Sequence, residues 1–421
     1  MKKMEKQADV IVVGGGNAGM MAAIAAASNG SRVILFDKNK RLGKKLLMTG
    51  GGRCNVTNNR PVEDLIQHIP GNGRFLYSTF SQFNNEDIMR FFAERGIALK
   101  EEDHGRIFPT TNKSKTIVDG LRNELEQLNV TIAYQTTVDK IIHDQKKVTG
   151  VRTSEGDYSA KSVVLATGGL TYPSTGATGD GYRLAKQVGH HVTPLYPTES
   201  PVLLDEDFIQ DKELQGLSLR DVRLSVLNEE GKVVTAHEMD LLFTHFGVSG
   251  PAALRCSSFI NQLLKHQKKV TLMLDCLPNA SKEELIQQLE NQLLHSTKQV
   301  KNALNGILPE RLLNYFLKEL GISELPANQL VKTKIEALAD LCKNWRLTAK
   351  GTFGLEKSFV TGGGIELKEI SPKTMESKKI TGLFFAGELL DINGYTGGFN
   401  ITSAFCTGYV AGTHAAYQAF A

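Results

Sequence analysis

Apolar and polar positions alternate in blocks along the first third of the chain. A short β-branched run, Asp9–Val13, ends in glycines and is followed by MMAAIAAAS, a small-residue helix pattern. A second β-branched run, Arg32–Phe36, stops at Asp37. This is a strand–turn–helix–strand unit of about thirty residues. Helical spacing returns at Glu86–Arg95 and Lys115–Leu128. Short strands are expected at Val130–Tyr134, Val138–His143, Val148–Thr153 and Val163–Ala166.

The pattern changes after about His191. Pro194, Pro197 and Pro201 punctuate a loop, and VRLSVLN at 222–228 alternates like a half-buried strand. Ser281 with Glu284 three positions on forms a capping-box signature ahead of a helical run, and LLNYFLKEL and KIEALADLCKNW continue it. Strands resume at Phe359, and GLFFAGE at 382–388 reads as a buried strand ending in glycine. A small-residue helix follows, starting near Thr402–Ser403. These shifts predict an α/β protein in three parts. A discontinuous domain covers 1–192 and 356–421, a strand-rich second domain covers 193–278 and 346–355, and a helical insertion covers 279–345.

Composition narrows the chemistry. The 421 residues include 40 glycines, which cluster at 14–19, 50–52, 168–181 and 362–398, as loops that cradle a ligand do. Net charge is +4 with no long basic run, so no nucleic-acid partner is expected. Five scattered cysteines without a CxxC pair argue against a disulfide framework or a metal site and for a cytoplasmic protein. The N-terminal MKKMEKQADVIVV lacks the features of a cleaved leader, and no apolar window is long enough to span a membrane. Oligomeric state is not legible.

Gly14, Gly16 and Gly19 form GxGxxG between the first strand and helix, giving a tight turn, room for a pyrophosphate, and close helix–strand packing. The phosphates would sit on the helix N-terminus. Asp37 is placed to accept from a ribose hydroxyl. VVLATGGLTYPSTGATGDGYRLA and GLFFAGELLDINGYTGGFN add distant glycine clusters. An NAD site needs no such C-terminal cluster, whereas an extended FAD with a ribityl chain and flavin does. No second GxGxxG unit with a strand, helix and trailing acid occurs, so NAD(P)H as electron donor would have to act without a dedicated domain.

Taken together, VVGGGNAG, GKKLLMTGGGRCNVTN, ATGGLTYPSTGATGDGY, FTHFGVSGPA and GLFFAGELLDINGYTGGFN span nearly the whole chain. The sequence resembles the BaiN-like, or aminoacetone-oxidase-like, family of bacterial FAD-dependent oxidoreductases. That resemblance implies a Rossmann-like FAD domain interrupted by a strand-rich and a small helical domain. It implies non-covalent FAD, since no histidine lies between Asp37 and Asn59, and hydride transfer at flavin N5 to or from a small organic substrate. Expected cofactor contacts are Gly14, Gly16, Asn17, Ala18, Gly19, Asp37, Lys38 and Lys45. They continue through Thr49, Gly50, Gly51, Arg53, Cys54 and Asn55, then Val138, Ala166, Thr167 and Gly168. The C-terminal contacts are Gly387, Glu388, Asp391, Gly397, Gly398, Asn400 and Ile401. A helix N-terminus after the glycine doublet would favour the anionic reduced ring, with Asn400 and Ile401 offering N–H groups. Substrate-side candidates are Arg53, Arg106, Tyr172, His245 and Tyr395, each in or beside a glycine or proline loop. Cys54, without a nearby cysteine partner, is expected to be a packed residue rather than a redox centre. The rival reading is an FAD-binding RNA-modification or regulatory protein.

Overall fold

A computed structural model describes residues 6–421, so Met1–Glu5, the start of the N-terminal stretch weighed above, lie outside the described residues. The chain divides into two compact units: the chain up to Pro197 with Leu355–Ala421, and Thr198–Gly354.

The first unit is built on a five-stranded sheet. Its strands are β1 (Val10–Val13), β2 (Val33–Asp37), β3 (Thr131–Tyr134), β4 (Ser162–Leu165) and β5 (Leu383–Phe385). They lie in the order β5-β4-β1-β2-β3, all parallel. Burial on both faces explains why β1, β2, β4 and β5 are continuous apolar runs rather than alternating ones. The order reverses at β1, where such sheets hold a ligand beyond the strand ends. Helix α1 (Asn17–Ser28) packs along the C-terminal helix Phe399–Phe420. Small residues set that approach. A Cβ on Gly408 would lie 2.3 Å from the Ala18 carbonyl oxygen, and one on Gly412 would lie 2.1 Å from that of Ala22.

Two antiparallel additions flank the sheet. One is the meander Val138–Asp144, Lys147–Thr153 and Gly156–Ser159, close to its expected strands. The other is a three-stranded sheet of Thr57–Asn58, Arg106–Pro109 and Leu99–Glu102, which was not expected. Arg106, anticipated in a loop, opens a strand opposite Glu102.

The second unit is a closed six-stranded barrel of Val202–Leu204, Gly247–Ser249, Val233–Phe243, Ser218–Leu227, Val270–Asp275 and Trp345–Thr352. The helices between 282 and 344 share its core, with Phe316 set edge-on to Trp345 at 4.9 Å between ring centres. Ser281 caps Lys282–Leu294 with the expected reciprocal bonds to Glu284. All five cysteines are free and buried. No described helix is long and apolar enough to cross a membrane.

Candidate cofactor site

The turn between β1 and α1 uses its glycines in different ways. Gly14 has φ +105, and a Cβ there would lie 2.5 Å from the Ala166 carbonyl oxygen. A Cβ on Gly19 would lie 1.7 Å from the carbonyl oxygen of Gly14, a collision with backbone. Gly16 is the exception: a Cβ there would meet nothing within 4 Å, although the residue caps α1. The first turn of α1 has no side-chain cap, so its leading N–H groups have no capping side chain, and the space beside Gly16 is open. Such a helix start, with Asn17 and Ala18 in its first turn, is of the kind that binds anions.

Asp37 is buried at the end of β2. Its Oδ2 accepts from Gly15 N–H at 2.7 Å and its Oδ1 from Asn39 N–H at 2.6 Å. Burial raises its carboxyl above the usual range against the pull of those two N–H groups. Each oxygen keeps a lone pair for a ribose hydroxyl. Lys38 reaches Thr178 and pairs with Asp180 at 2.6 Å. Val138 opens the meander, buried, opposite Thr153. Ala166, Thr167 and Gly168 leave β4 beside Gly14, and the Thr167 hydroxyl is buried with no protein partner.

The second glycine turn differs. Leu46–Gly52 is a kinked 3₁₀ segment in which Gly50, Gly51 and Gly52 have φ of +57, +66 and +85. A Cβ on Gly51 or Gly52 would meet nothing within 4 Å. Thr49 Oγ1 donates to the Leu46 carbonyl at 2.7 Å. Cys54 follows at φ +61, fully buried, and burial pushes its thiol up to about 12 despite a hydrogen bond with Thr49. A thiol so held is a packed group at neutral pH, as expected. Asn55 is buried, and its Oδ1 has no partner. That oxygen sits 3.1 Å from where a Cβ on Gly398 would lie.

Gly398 caps the C-terminal helix in the left-handed region, φ +99, with no side-chain cap. The helix begins at Phe399, three residues before the expected Thr402–Ser403, because the left-handed glycine lets the chain turn into helix at once. Its first intrahelical bond runs from Thr402 N–H to the Gly398 carbonyl at 2.9 Å. The N–H groups of Asn400 and Ile401 therefore stand ahead of the ladder. The Asn400 side chain is occupied: it accepts from Gly394 N–H at 2.7 Å and donates to the Gly394 carbonyl at 2.7 Å. Gly397 has φ +124 and its carbonyl accepts from Asn58 Nδ2 at 2.9 Å.

Gly387 donates its N–H to Thr407 Oγ1 at 3.0 Å. Next to it, Glu388 forms an ion pair with Lys45 at 2.6 Å and accepts from Thr361 N–H at 2.9 Å and the Thr171 hydroxyl at 3.1 Å. Lys45 also donates to Thr171 Oγ1 at 2.7 Å. Burial would raise the Glu388 carboxyl, but Lys45 and these donors outweigh it and hold it below its usual range. Burial raises Asp391, whose Oδ2 accepts from Thr193 Oγ1 at 3.1 Å.

Four of the five substrate-side candidates belong to the first unit and His245 to the second. Arg53 and Arg106 do share a surface: Arg53 lies 4.2 Å above the Phe108 ring centre and Arg106 lies 5.8 Å from it. Tyr172 adopts the left-handed region, φ +54, with its ring 5.7 Å from that of Phe359, and burial raises its phenol above the usual range. Tyr395 lies edge-on to His68 at 6.3 Å. His245 is exposed between two strands of the barrel unit, with its ring 5.0 Å from that of Phe246. Sequence reasoning missed Phe108, Glu102, Thr171 and Thr361. Among them only the short apolar run around Phe108 left a trace, and it was read as a loop.

Three comparisons fit this geometry. The chain is 34% identical over 402 residues, 95% of its length and 96% of the relative's, to the ribosomal RNA dihydrouridine synthase of Escherichia coli. It is 31% identical, over 92% of its length and 93% of the relative's, to the 3-dehydro-bile acid delta(4,6)-reductase of Clostridium scindens. A solved 3-ketosteroid delta1-dehydrogenase from Sterolibacterium denitrificans covers 98% of the chain and 100% of its own, at a TM-score of 0.54 and 13% identity, a likeness of fold. The model of the HI0933-like protein Rossmann domain matches residues 8–414, so the chain belongs to that family of FAD-binding oxidoreductases, of the BaiN-like type.

Proposed function

We propose that this flavoprotein adds hydrogen across a carbon–carbon double bond conjugated to a carbonyl, with uridine in RNA as its substrate. One observation carries the flavin-centred reading. The uncapped start of the C-terminal helix adjoins the buried, unpartnered Oδ1 of Asn55, so donors and an acceptor converge. A flavin's pyrimidine edge needs both. Bound FAD, once reduced, supplies a hydride from N5 to an electron-poor carbon, and NAD(P)H is the proposed source of that reducing power.

The chain's own residues do the rest. The α1 N-terminus at Gly16 takes the pyrophosphate, and Asp37 accepts from the adenosine ribose. The Lys45–Glu388 pair ties the second glycine turn to the loop after β5 and holds both in place. The positive end of the C-terminal helix at Phe399 would favour negative charge on a ring held beside it. Tyr172, with its protonated phenol, is the proposed proton donor to the substrate carbon next to the carbonyl.

The reaction class comes from the relatives. A dihydrouridine synthase and a delta(4,6)-reductase both saturate a bond conjugated to a carbonyl, and both align along nearly the whole chain. The second reading, a small conjugated ketone as substrate, is favoured by the Clostridium scindens relative. The test is anaerobic mixing of the reduced holoprotein with uridine-containing RNA or with a conjugated steroid ketone. Reoxidation of the flavin by RNA, with dihydrouridine in the product, is expected. Reoxidation by the ketone alone would select the second reading, and reoxidation by neither would overturn both.

A further inference from the structure

The hairpin Leu99–Glu102 and Arg106–Pro109 carries cations on the face where Lys100 opposes Phe108 and Glu102 opposes Arg106. Phe108 is buried there beneath the Arg53 guanidinium, with Arg106 at the far side of the same ring. Two of these three cations, Arg53 and Lys100, share one carboxylate at close range. Glu102 Oε1 accepts from Arg53 Nη1 at 2.9 Å and lies 2.9 Å from Lys100 Nζ. Among the described residues, Arg106 donates through its Nε to the Asp103 carbonyl at 3.0 Å. The Asp103 carboxylate is 3.9 Å from Arg106, beyond hydrogen-bond length, and its side chain is 89% exposed. A carboxylate at that distance and out in solvent does little to neutralise the guanidinium, whose own side chain is 29% exposed. The outer Arg106 and Lys100 heads are therefore left with donors for an anion.

The face is also fixed relative to the cofactor site. Asn58, in the strand beside Arg106, donates through Nδ2 to the His104 carbonyl at 3.0 Å and to the Gly397 carbonyl at 2.9 Å. That clamps the hairpin turn to the residue before the helix cap Gly398. Arg53 itself closes the second glycine turn.

The geometry points to a phosphate-binding subsite for the RNA backbone, formed by Lys100 and Arg106 beside Arg53. It rests on the reading of uridine in RNA as substrate. A guanidinium offers paired donors to phosphate oxygens, and a lysine adds a mobile charge. An RNA strand held here would present a nucleotide from a fixed distance, which a small neutral ketone does not require. The net charge of +4 did not foretell this face, because the cations that form it lie at 53, 100 and 106 and meet only through strand pairing.

The test is binding of a labelled single-stranded, uridine-containing RNA to the FAD-loaded chain across a range of salt. Each phosphate contact on a single strand contributes about 0.7 to the slope of log affinity against log salt. The double variant Lys100→Gln/Arg106→Gln should lower that slope by about 1.4 and weaken binding roughly 25-fold near 0.1 M salt. Its flavin spectrum reports that it has folded. Asp103→Asn should act in the opposite direction, tightening binding a few-fold, which no folding defect can imitate. Unchanged slopes in both variants would overturn the subsite while leaving the RNA reading standing. A wild-type holoprotein that binds no RNA at low salt would overturn both.

Discussion

The two glycine turns of the first unit look alike in sequence and are built on different grounds. In the turn after β1, Gly14 and Gly19 are required by the fold, since a side chain at either would strike backbone. Gly16 alone faces open space. In the second turn Gly51 and Gly52 face open space as well, and what demands glycine there is φ. A glycine whose missing Cβ would collide is required by packing, whereas one whose Cβ would find nothing leaves room beside the backbone. On the proposed reading Gly16 and Gly51 lie along the FAD, while Gly14 and Gly19 hold together the sheet and helix that would present it.

The rule can be broken by substitution, beginning where the effect should be greatest. Gly19→Ala places a methyl group 1.7 Å from a backbone oxygen and should cost more than about 3 kcal/mol. Chemical denaturation of the cofactor-free protein would show it, and a stable variant would mean that α1 does not pack as described. Gly16→Val should leave the fold standing and weaken FAD by at least about 100-fold, or roughly 2.8 kcal/mol. Fluorescence titration with FAD measures this, and wild-type affinity in the variant would move the pyrophosphate elsewhere.

Glu388→Gln should cost about 1–3 kcal/mol by leaving the Lys45 ammonium without its anion in a half-buried place. Its pH dependence follows from the depressed carboxyl. In the wild type the pair's contribution is complete above the usual range of a glutamate and is lost as pH falls through the lower folded value. Thermal melts at descending pH should therefore show the variant and wild type converging in acid. A constant difference would assign the loss to packing instead. The smallest effect is expected for Gly51→Ala, about 1–2 kcal/mol from forcing an alanine into the left-handed region. A larger loss would reveal a contact that the open space conceals.

What was legible follows from how local each feature is. The strand–turn–helix at 10–37 could be read because one short stretch carries the buried strand, the glycines and the acid. Ser281 and Glu284 were legible for the same reason. The hairpin 99–109 was missed because LKEE and RIFP do not alternate, and its outer face is held by charges and a covered ring. Barrel closure joins strands as far apart as Val202–Leu204 and Trp345–Thr352. The Lys45–Glu388 pair spans 343 positions, and its threonine partners sit in a loop, at Thr171, and in the short strand Val360–Gly362, at Thr361. Both residues had been marked as cofactor contacts, but nothing in the sequence joined them to each other. The start of the C-terminal helix was displaced by three residues because a left-handed glycine begins a helix without any side-chain signal.

The central claim is that FAD lies along both glycine turns, and it can be tested on the purified chain. The visible spectrum before and after heat denaturation counts the flavin released per chain. One FAD per chain, released without covalent attachment and absent from Gly16→Val, is the expected result. Colourless protein that ignores added FAD, or an undiminished flavin content in Gly16→Val, would contradict the account.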